Sequence, residues 1–390
     1  MKPKALVRTT KPLASGPLLS RFWLLSKALM MFGVAFSETA WTQNAAPIRE
    51  PSKVWHVQPS GVSASLRGLS VVNEKVVWAS GASGTVIRTV DGGSTWTQLT
   101  IAGAEKLDFR DIHAFDDQVC LIINAGSPGL VFRTDDGGKT WAEVYRNDAK
   151  TIFFDAMSFW DTQRGIAFSD PQDGQLFLIE TSDGGKTWAS FPVDRRPQMH
   201  PGEAAFAASG TSMAVMDDQS VWIATGGEHG PDNEASSRVF SSVDGGKSWY
   251  VATTPIASTE SAGTFSIAFA NANHGVAVGG DYKQPNHRSS NVAITDDSGR
   301  NWRAIEGESP SGYRSAVAVL NLNFEAHFVA VGPTGTDVSS DWGNSWRQVD
   351  ETSLNAIAFT SDGSAGWSVG GDGTVAKWIG NEIVRPDAKK

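Results

Sequence analysis

The chain is written in short apolar runs separated by clusters of Gly, Asp, Ser and Asn. Leu66-Arg67-Gly68-Leu69-Ser70-Val71-Val72 is followed by Val76-Val77-Trp78-Ala79-Ser80. Phe109-Arg110-Asp111-Ile112-His113-Ala114-Phe115 and Val221-Trp222-Ile223-Ala224-Thr225 are of the same two kinds. Runs this short, rich in β-branched and aromatic residues and bounded by turn formers, predict strands rather than helices. The order recurs: an inner strand, a second strand ending in small residues, a third, then a turn and a fourth.

The turn after the third strand repeats almost word for word. Its copies are Thr89–Trp96, Thr134–Trp141, Thr181–Trp188, Ser242–Trp249, Thr295–Trp302 and Ser339–Trp346. Each reads Ser/Thr-x-Asp-x-Gly-x-x-Trp, an Asp box, with its acid at Asp91, Asp136, Asp183, Asp244, Asp297 or Asp341. Glycine accepts the positive φ of a tight turn, and an Asp carboxylate bonds nearby amides, so the box is expected to be scaffold. Its tryptophans, Trp96, Trp141, Trp188, Trp249, Trp302 and Trp346, are expected to open the fourth strands and bury their rings. Their spacing of 44 to 61 residues fits one four-stranded blade per repeat with insertions.

Six boxes predict six blades, and the ends add a seventh. Residues 354–359, 365–369 and 374–378 make three strands without a fourth, and Val54-Trp55-His56-Val57 makes a fourth without partners. The expected fold is an all-β, seven-bladed propeller over 53–380, its last blade closed by the N-terminal strand. Such closure protects sheet edges.

Ahead of it, residues 1–37 hold six basic residues and no acid, with an apolar run Ala28–Phe36 before Ser37. This reads as a signal peptide, with 38–52 a linker and 381–390 a charged tail, and a periplasmic or secreted location. Removing the signal takes the formal net charge from −9 to −15. So acidic a chain argues against general nucleic-acid binding. Cys120, the single cysteine, lies in an apolar run and is expected to be a small buried hydrophobe.

Candidate chemistry concentrates where inner strands line the channel. Arg67, Arg110 and Arg314 fall at equivalent positions by sequence, with Asp155 and Asn355 at the same place in two other blades. Asp170, Glu203, Asp281, Tyr282, Tyr313 and Asp337 lie at strand ends or in loops. Arginines with tyrosines suit a carboxylate or phosphate, held by paired N–H bonds. The insertions 227–237 and 279–290 join second to third strands, which puts the functional face opposite the Asp boxes. A sialidase-like glycosidase using Glu203, Asp170 and Tyr313 is the catalytic alternative, but the Phe-Arg-Ile-Pro signature of sialidases is absent. The scattered histidines predict no metal site, with Asp232-Asn233-Glu234 only a faint calcium hint. No glycine-rich loop opens a helix, so no nucleotide cofactor is expected.

The boxes, with Leu66-Arg67-Gly68-Leu69, Phe109-Arg110-Asp111-Ile112, Tyr313-Arg314-Ser315-Ala316, Phe168-Ser169-Asp170-Pro171 and Gly202-Glu203-Ala204-Ala205-Phe206, resemble the photosystem II stability/assembly factor family. The likeness is nearer to its bacterial, non-photosynthetic relatives, the BNR or sialidase-like repeat proteins, and covers nearly all of 53–380. Asp boxes alone are less specific, being shared with sialidases, sortilin-like receptors and xyloglucanases. The resemblance implies a non-catalytic assembly factor whose inner-strand arginines, here Arg67, Arg110 and Arg314, contact a client chain. It implies no cofactor. The chain departs from the lipid-anchored members in having no cysteine after its signal. A protein segment or small anionic ligand at the channel mouth is the expected partner.

Overall fold

A computed structural model describes residues 54–228 and 236–384. These form seven antiparallel sheets, the blades of a β-propeller. The inner strands are Leu66–Val71, Asp108–Ala114, Phe154–Phe159, Met213–Met216, Ala262–Phe269, Ala316–Leu322 and Ala356–Phe359. They define blades 1 to 7. Two helical pieces, Val193–Arg195 and Asn381–Val384, are each a single turn. No described helix is long and apolar enough to cross a membrane. The expected signal peptide and linker lie outside the described residues. Of the expected tail, residues 381–384 instead form a helical turn whose Val384 is buried against blades 6 and 7.

Blade 7 closes as its sequence predicts. Trp55–Gln58 pairs antiparallel with Val375–Trp378, Trp55 facing Trp378. The two rings meet edge to face, centroids 5.0 Å apart. Trp55 Nε1 also donates to Thr336 Oγ1 of blade 6 at 2.8 Å. The strand therefore ties the start of the propeller to its two last blades.

The apolar cores lie between neighbouring blades. Leu66, Val77 and Ala79 of blade 1 pack on Ala356, Trp367 and Val369 of blade 7. Blade 5 meets blade 6 through Val276, Ile294, Val317 and Phe328. Burying one face of each sheet on the next is what the alternating inner strands require. Cys120 is fully buried in this packing, and burial pushes its thiol well up.

Each Asp box forms a closed set of hydrogen bonds. In the first, Thr89 Oγ1 donates to Asp91 Oδ1 at 2.7 Å and accepts the Gly93 N–H at 2.9 Å. The Asp91 carboxylate also accepts the Thr95 N–H and hydroxyl, at 2.9 and 2.6 Å. These bonds hold the carboxyls of Asp91, Asp136, Asp183 and Asp244 down to about 2. The box tryptophans depart from expectation. Only Trp302 and Trp346 are buried, while Trp96, Trp141, Trp188 and Trp249 stay half-exposed. Among the described residues the fully buried tryptophans are Trp78, Trp222 and Trp367, all on second strands. A second strand has blades on both faces. Each box Trp joins the apolar cluster between two blades, Trp302 and Trp346 within it and the other four at its edge.

Candidate functional site

The inner strands carry a bulge at their entry to the channel. Pairing with the second strand slips at Arg67, at Arg110, at Asp155 and at Phe265. A bulge leaves one residue outside the ladder and re-aims its side chain. Blades 6 and 7 continue the series through Ser315 and Asn355. The Leu66 N–H donates to Gly370 O of the preceding blade, as Leu354 N–H does to Gly332 O and Arg314 N–H to Gly279 O. Residues 67, 355 and 315 are therefore the equivalent ones.

This register corrects the placement of Arg314. Sequence alignment sets Arg314 beside Arg67 and Arg110, but it occupies the position of Leu66, one residue earlier. A slip of one residue along a strand sends the side chain to the opposite face. Arg314 is fully buried, its Nε 2.6 Å from Asp337 Oδ2. Its Nη1 donates to Tyr313 O and Thr334 Oγ1, each at 2.8 Å, and its Nη2 donates to Ser311 Oγ. Arg314 and Asp337 form a buried structural pair, and the three-arginine ring becomes two.

Arg67 and Arg110 line a cavity of about 540 Å³ together with Asp170, Tyr282 and Tyr313. Asn355, expected at the arginine position of blade 7, lines it too, while sequence reasoning missed its other walls, chiefly Phe153, Phe206 and Phe265. Phe265 was within reach, because Thr264-Phe265-Ser266 aligns with Leu66-Arg67-Gly68. Phe206 stacks on Phe265 with centroids 4.0 Å apart, and Tyr313 meets Phe265 edge to face at 4.7 Å. Tyr282, more exposed, stands 6.2 Å from Phe265. The cavity is thus an aromatic wall facing two guanidinium groups, at the end of the channel opposite the Asp boxes.

A segment of the chain itself crosses this mouth. Residues 205–211 leave a two-stranded pairing, Glu203–Ala204 with Gly226–Gly227, that extends the sheet of blade 5 inward. A Cβ on Gly226 would lie 2.8 Å from the Gly263 Cα, so the approach requires glycine. The segment then touches five blades. The Ala205 N–H donates to Asp170 Oδ1 at 3.0 Å. Ala207 O accepts from Arg110 Nη1 at 2.8 Å, and Ala208 O from Arg67 Nη1 at 3.2 Å. Ser209 Oγ donates to Ser315 O, and Thr211 O accepts the Ile267 N–H.

The remaining candidates separate by burial. Asp155, at the bulge of blade 3, is fully buried, and neither carboxylate oxygen reaches a hydrogen-bond partner at ordinary distance among the described residues. Burial, then the neighbouring Asp170, raise its carboxyl well above the ordinary range. Burial lifts Asp170 to about 6. Burial and the adjacent Arg110 draw the Arg67 guanidinium below its usual value. Glu203 belongs elsewhere. Its Oε1 accepts from Thr225 Oγ1 at 2.6 Å and Arg238 Nε at 3.0 Å, and its Oε2 accepts from Arg238 Nη2 and the His200 N–H. Both oxygens are engaged and the residue is buried. Asp281 caps its own loop, accepting the Lys283 N–H and the Gln284 amide. No three His, Cys, Asp or Glu among the described residues cluster as a metal site, and Asp232, Asn233 and Glu234 lie outside them.

Residues 48–151, which include Arg67, Arg110 and the first two boxes, match the family model of the photosystem II assembly factor YCF48. Over that stretch the chain resembles the photosystem II assembly factors. Solved structures extend the likeness in fold. A YCF48 bound to D1 peptide superposes with a TM-score of 0.57 at 16% identity, covering 84% of this chain and 97% of that one. YCF48 from Cyanidioschyzon merolae gives 0.59 at 17% identity, covering 84% and 99%. A GH74 enzyme of Niastella koreensis gives 0.52 at 14% identity, and this chain covers only 52% of it. No curated protein sequence matches the chain. At these identities the structures establish the propeller and nothing finer.

Proposed function

We propose that this assembly factor-like propeller is an exported, non-catalytic protein that holds an extended segment of a partner protein at its channel mouth. One observation carries the reading: Arg67 and Arg110 already bond the backbone of a passing chain, through Ala208 O and Ala207 O. Arg110 also donates through Nε to Asp108 Oδ2 at 2.7 Å, and both arginines line a cavity walled by the rings of Phe206, Phe265, Tyr282 and Tyr313. An aromatic wall and guanidinium forks together suit a peptide with an acidic or C-terminal carboxylate and a large apolar side chain. That a YCF48 binds a D1 peptide supports a protein segment as the ligand class. The glycosidase alternative has less behind it. It needs two carboxylates about 5–10 Å apart in an open cleft, and Glu203 is locked to Arg238 outside the cavity.

The test is a peptide array of acidic and neutral segments, followed by titration of the best binder in solution. Arg67→Ala/Arg110→Ala is expected to weaken that binder at least ten-fold, whereas Asp281→Asn, in the neighbouring loop, leaves it unchanged. Equal affinity for wild type and the double variant would sink the reading.

A further inference from the structure

On the opposite face, two aromatic residues stand where glycine normally stands. The four clearest Asp boxes continue after their acid with glycine at positive φ, as at Gly92 and Gly137, and the fifth has Ser298 there. The sixth has Trp342, at φ +63°. Beside it, the turn between the first two strands of blade 6 is Asn323-Phe324, both residues at positive φ. A two-residue hairpin turn of this kind strongly prefers Asn-Gly. Phe324 is completely exposed and Trp342 is 44% exposed. Bulky residues in left-handed backbone are strained, and such strain concentrates at sites of use.

The two rings line one shallow depression of about 670 Å³ across blades 5 to 7. Trp342 is braced within it. His274 Nε2 lies 3.1 Å from Trp342 O, and the two rings meet edge to face at 4.8 Å. His274 Nδ1 is held in turn by Asp296 at 2.6 Å. The polar part of the lining is Asn321, Asn323, Ser361 and Asp362, with no Lys or Arg among the described residues that form it. Hydrogen bonds from the Ser364 backbone and side chain hold the Asp362 carboxyl down to about 2, so it stays ionised. Asn323 has no side-chain partner among the described residues and is exposed.

We infer that this depression binds a neutral oligosaccharide. Flat apolar rings match the C–H face of a pyranose, and amides with an acceptor carboxylate match its equatorial hydroxyls. An ionised Asp362 without a cation beside it rejects anionic ligands, phosphate and acidic peptide included. The depression lies on the Asp-box face, so it is independent of the channel mouth.

The experiment is native gel electrophoresis of the propeller in gels containing hydroxyethylcellulose, laminarin or soluble starch, with tryptophan fluorescence titration of the matching oligosaccharide. Wild type is expected to be retarded by at least one of the three. Trp342→Gly and Phe324→Gly should each reduce the association constant ten-fold or more. Both substitutions restore the residue that the backbone prefers, so they are expected to fold at least as well as wild type, checked by near-ultraviolet circular dichroism. Arg67→Ala/Arg110→Ala should be retarded like wild type, so loss of peptide binding and loss of glycan binding are separable. No retardation in any gel overturns the proposal. So does retention of binding by both glycine variants, or Trp342-dependent sedimentation with phosphatidylcholine vesicles in place of glycan binding.

Discussion

Asp170, the carboxyl that lines the cavity, links it to pH, with the buried Asp155 beside it. Burial raises Asp170 to about 6, although the Ala205 N–H favours its charged form. Between about pH 4 and 6 the folded state keeps a proton that the unfolded chain has lost, so stability falls as pH rises through that interval. Asp170→Asn keeps an acceptor for Ala205 and removes the titration. It is expected to be more stable than wild type at pH 7.5 by up to about 2–3 kcal/mol, since each tenfold change in proton affinity is worth about 1.4 kcal/mol. The difference vanishes near pH 4. Urea denaturation at the two pH values measures this. The box acids act with the opposite sign. Held down to about 2, they contribute stability above the ordinary carboxylate range that is lost as pH falls toward 2. If Asp170→Asn tracked wild type at both pH values, the burial of this carboxyl would not be felt by the fold.

At the level of the strand, a one-residue offset separates a cavity-lining arginine from a structural one. Arg67 and Arg110 sit on bulges, outside the ladder and aimed into the channel. Arg314 sits one place earlier and is sealed against Asp337. Removing one member of a buried pair leaves an uncompensated charge, at about 3–5 kcal/mol. Arg314→Ala is therefore expected to destabilise by that order, while Arg67→Ala, which loses one bond to a carbonyl, costs about 1 kcal/mol. Thermal and urea unfolding of the two variants, side by side, distinguishes them. Equal losses would contradict the register deduced from the backbone bonds of residues 66, 314 and 354. Arg-Gly, Arg-Asp and Arg-Ser look alike in sequence, and only the hydrogen-bond register tells their faces apart.

For the molecule as a whole, closure is the critical contact. Trp55 joins Trp378 of blade 7 and Thr336 of blade 6, and the strand carrying it completes the last sheet. Without it, Val375–Trp378 becomes an exposed edge, which is a template for aggregation. Trp55→Ala is expected to cost about 3–5 kcal/mol and to make heat denaturation less reversible. Calorimetry with a second scan reads both. A variant as stable and as reversible as wild type would mean that the ring does not depend on its clasp.

The blade count, the box turns, the closing strand and the buried Cys120 were legible in the sequence, because each is a local pattern. A glycine pair, an alternating run or an orphan strand signals its conformation within a few residues. The position of Arg67 and Arg110 on the cavity could be read from their repeat positions for the same reason. The burial of Arg314, the engagement of Glu203 by Arg238, and the passage of residues 205–211 across the mouth were decided by tertiary structure alone. So was the placing of Phe324 and Trp342 along one depression. These depend on which blade each segment touches and on a register of one residue along a bulged strand. Both are long-range facts of hydrogen bonding and packing that no local pattern encodes.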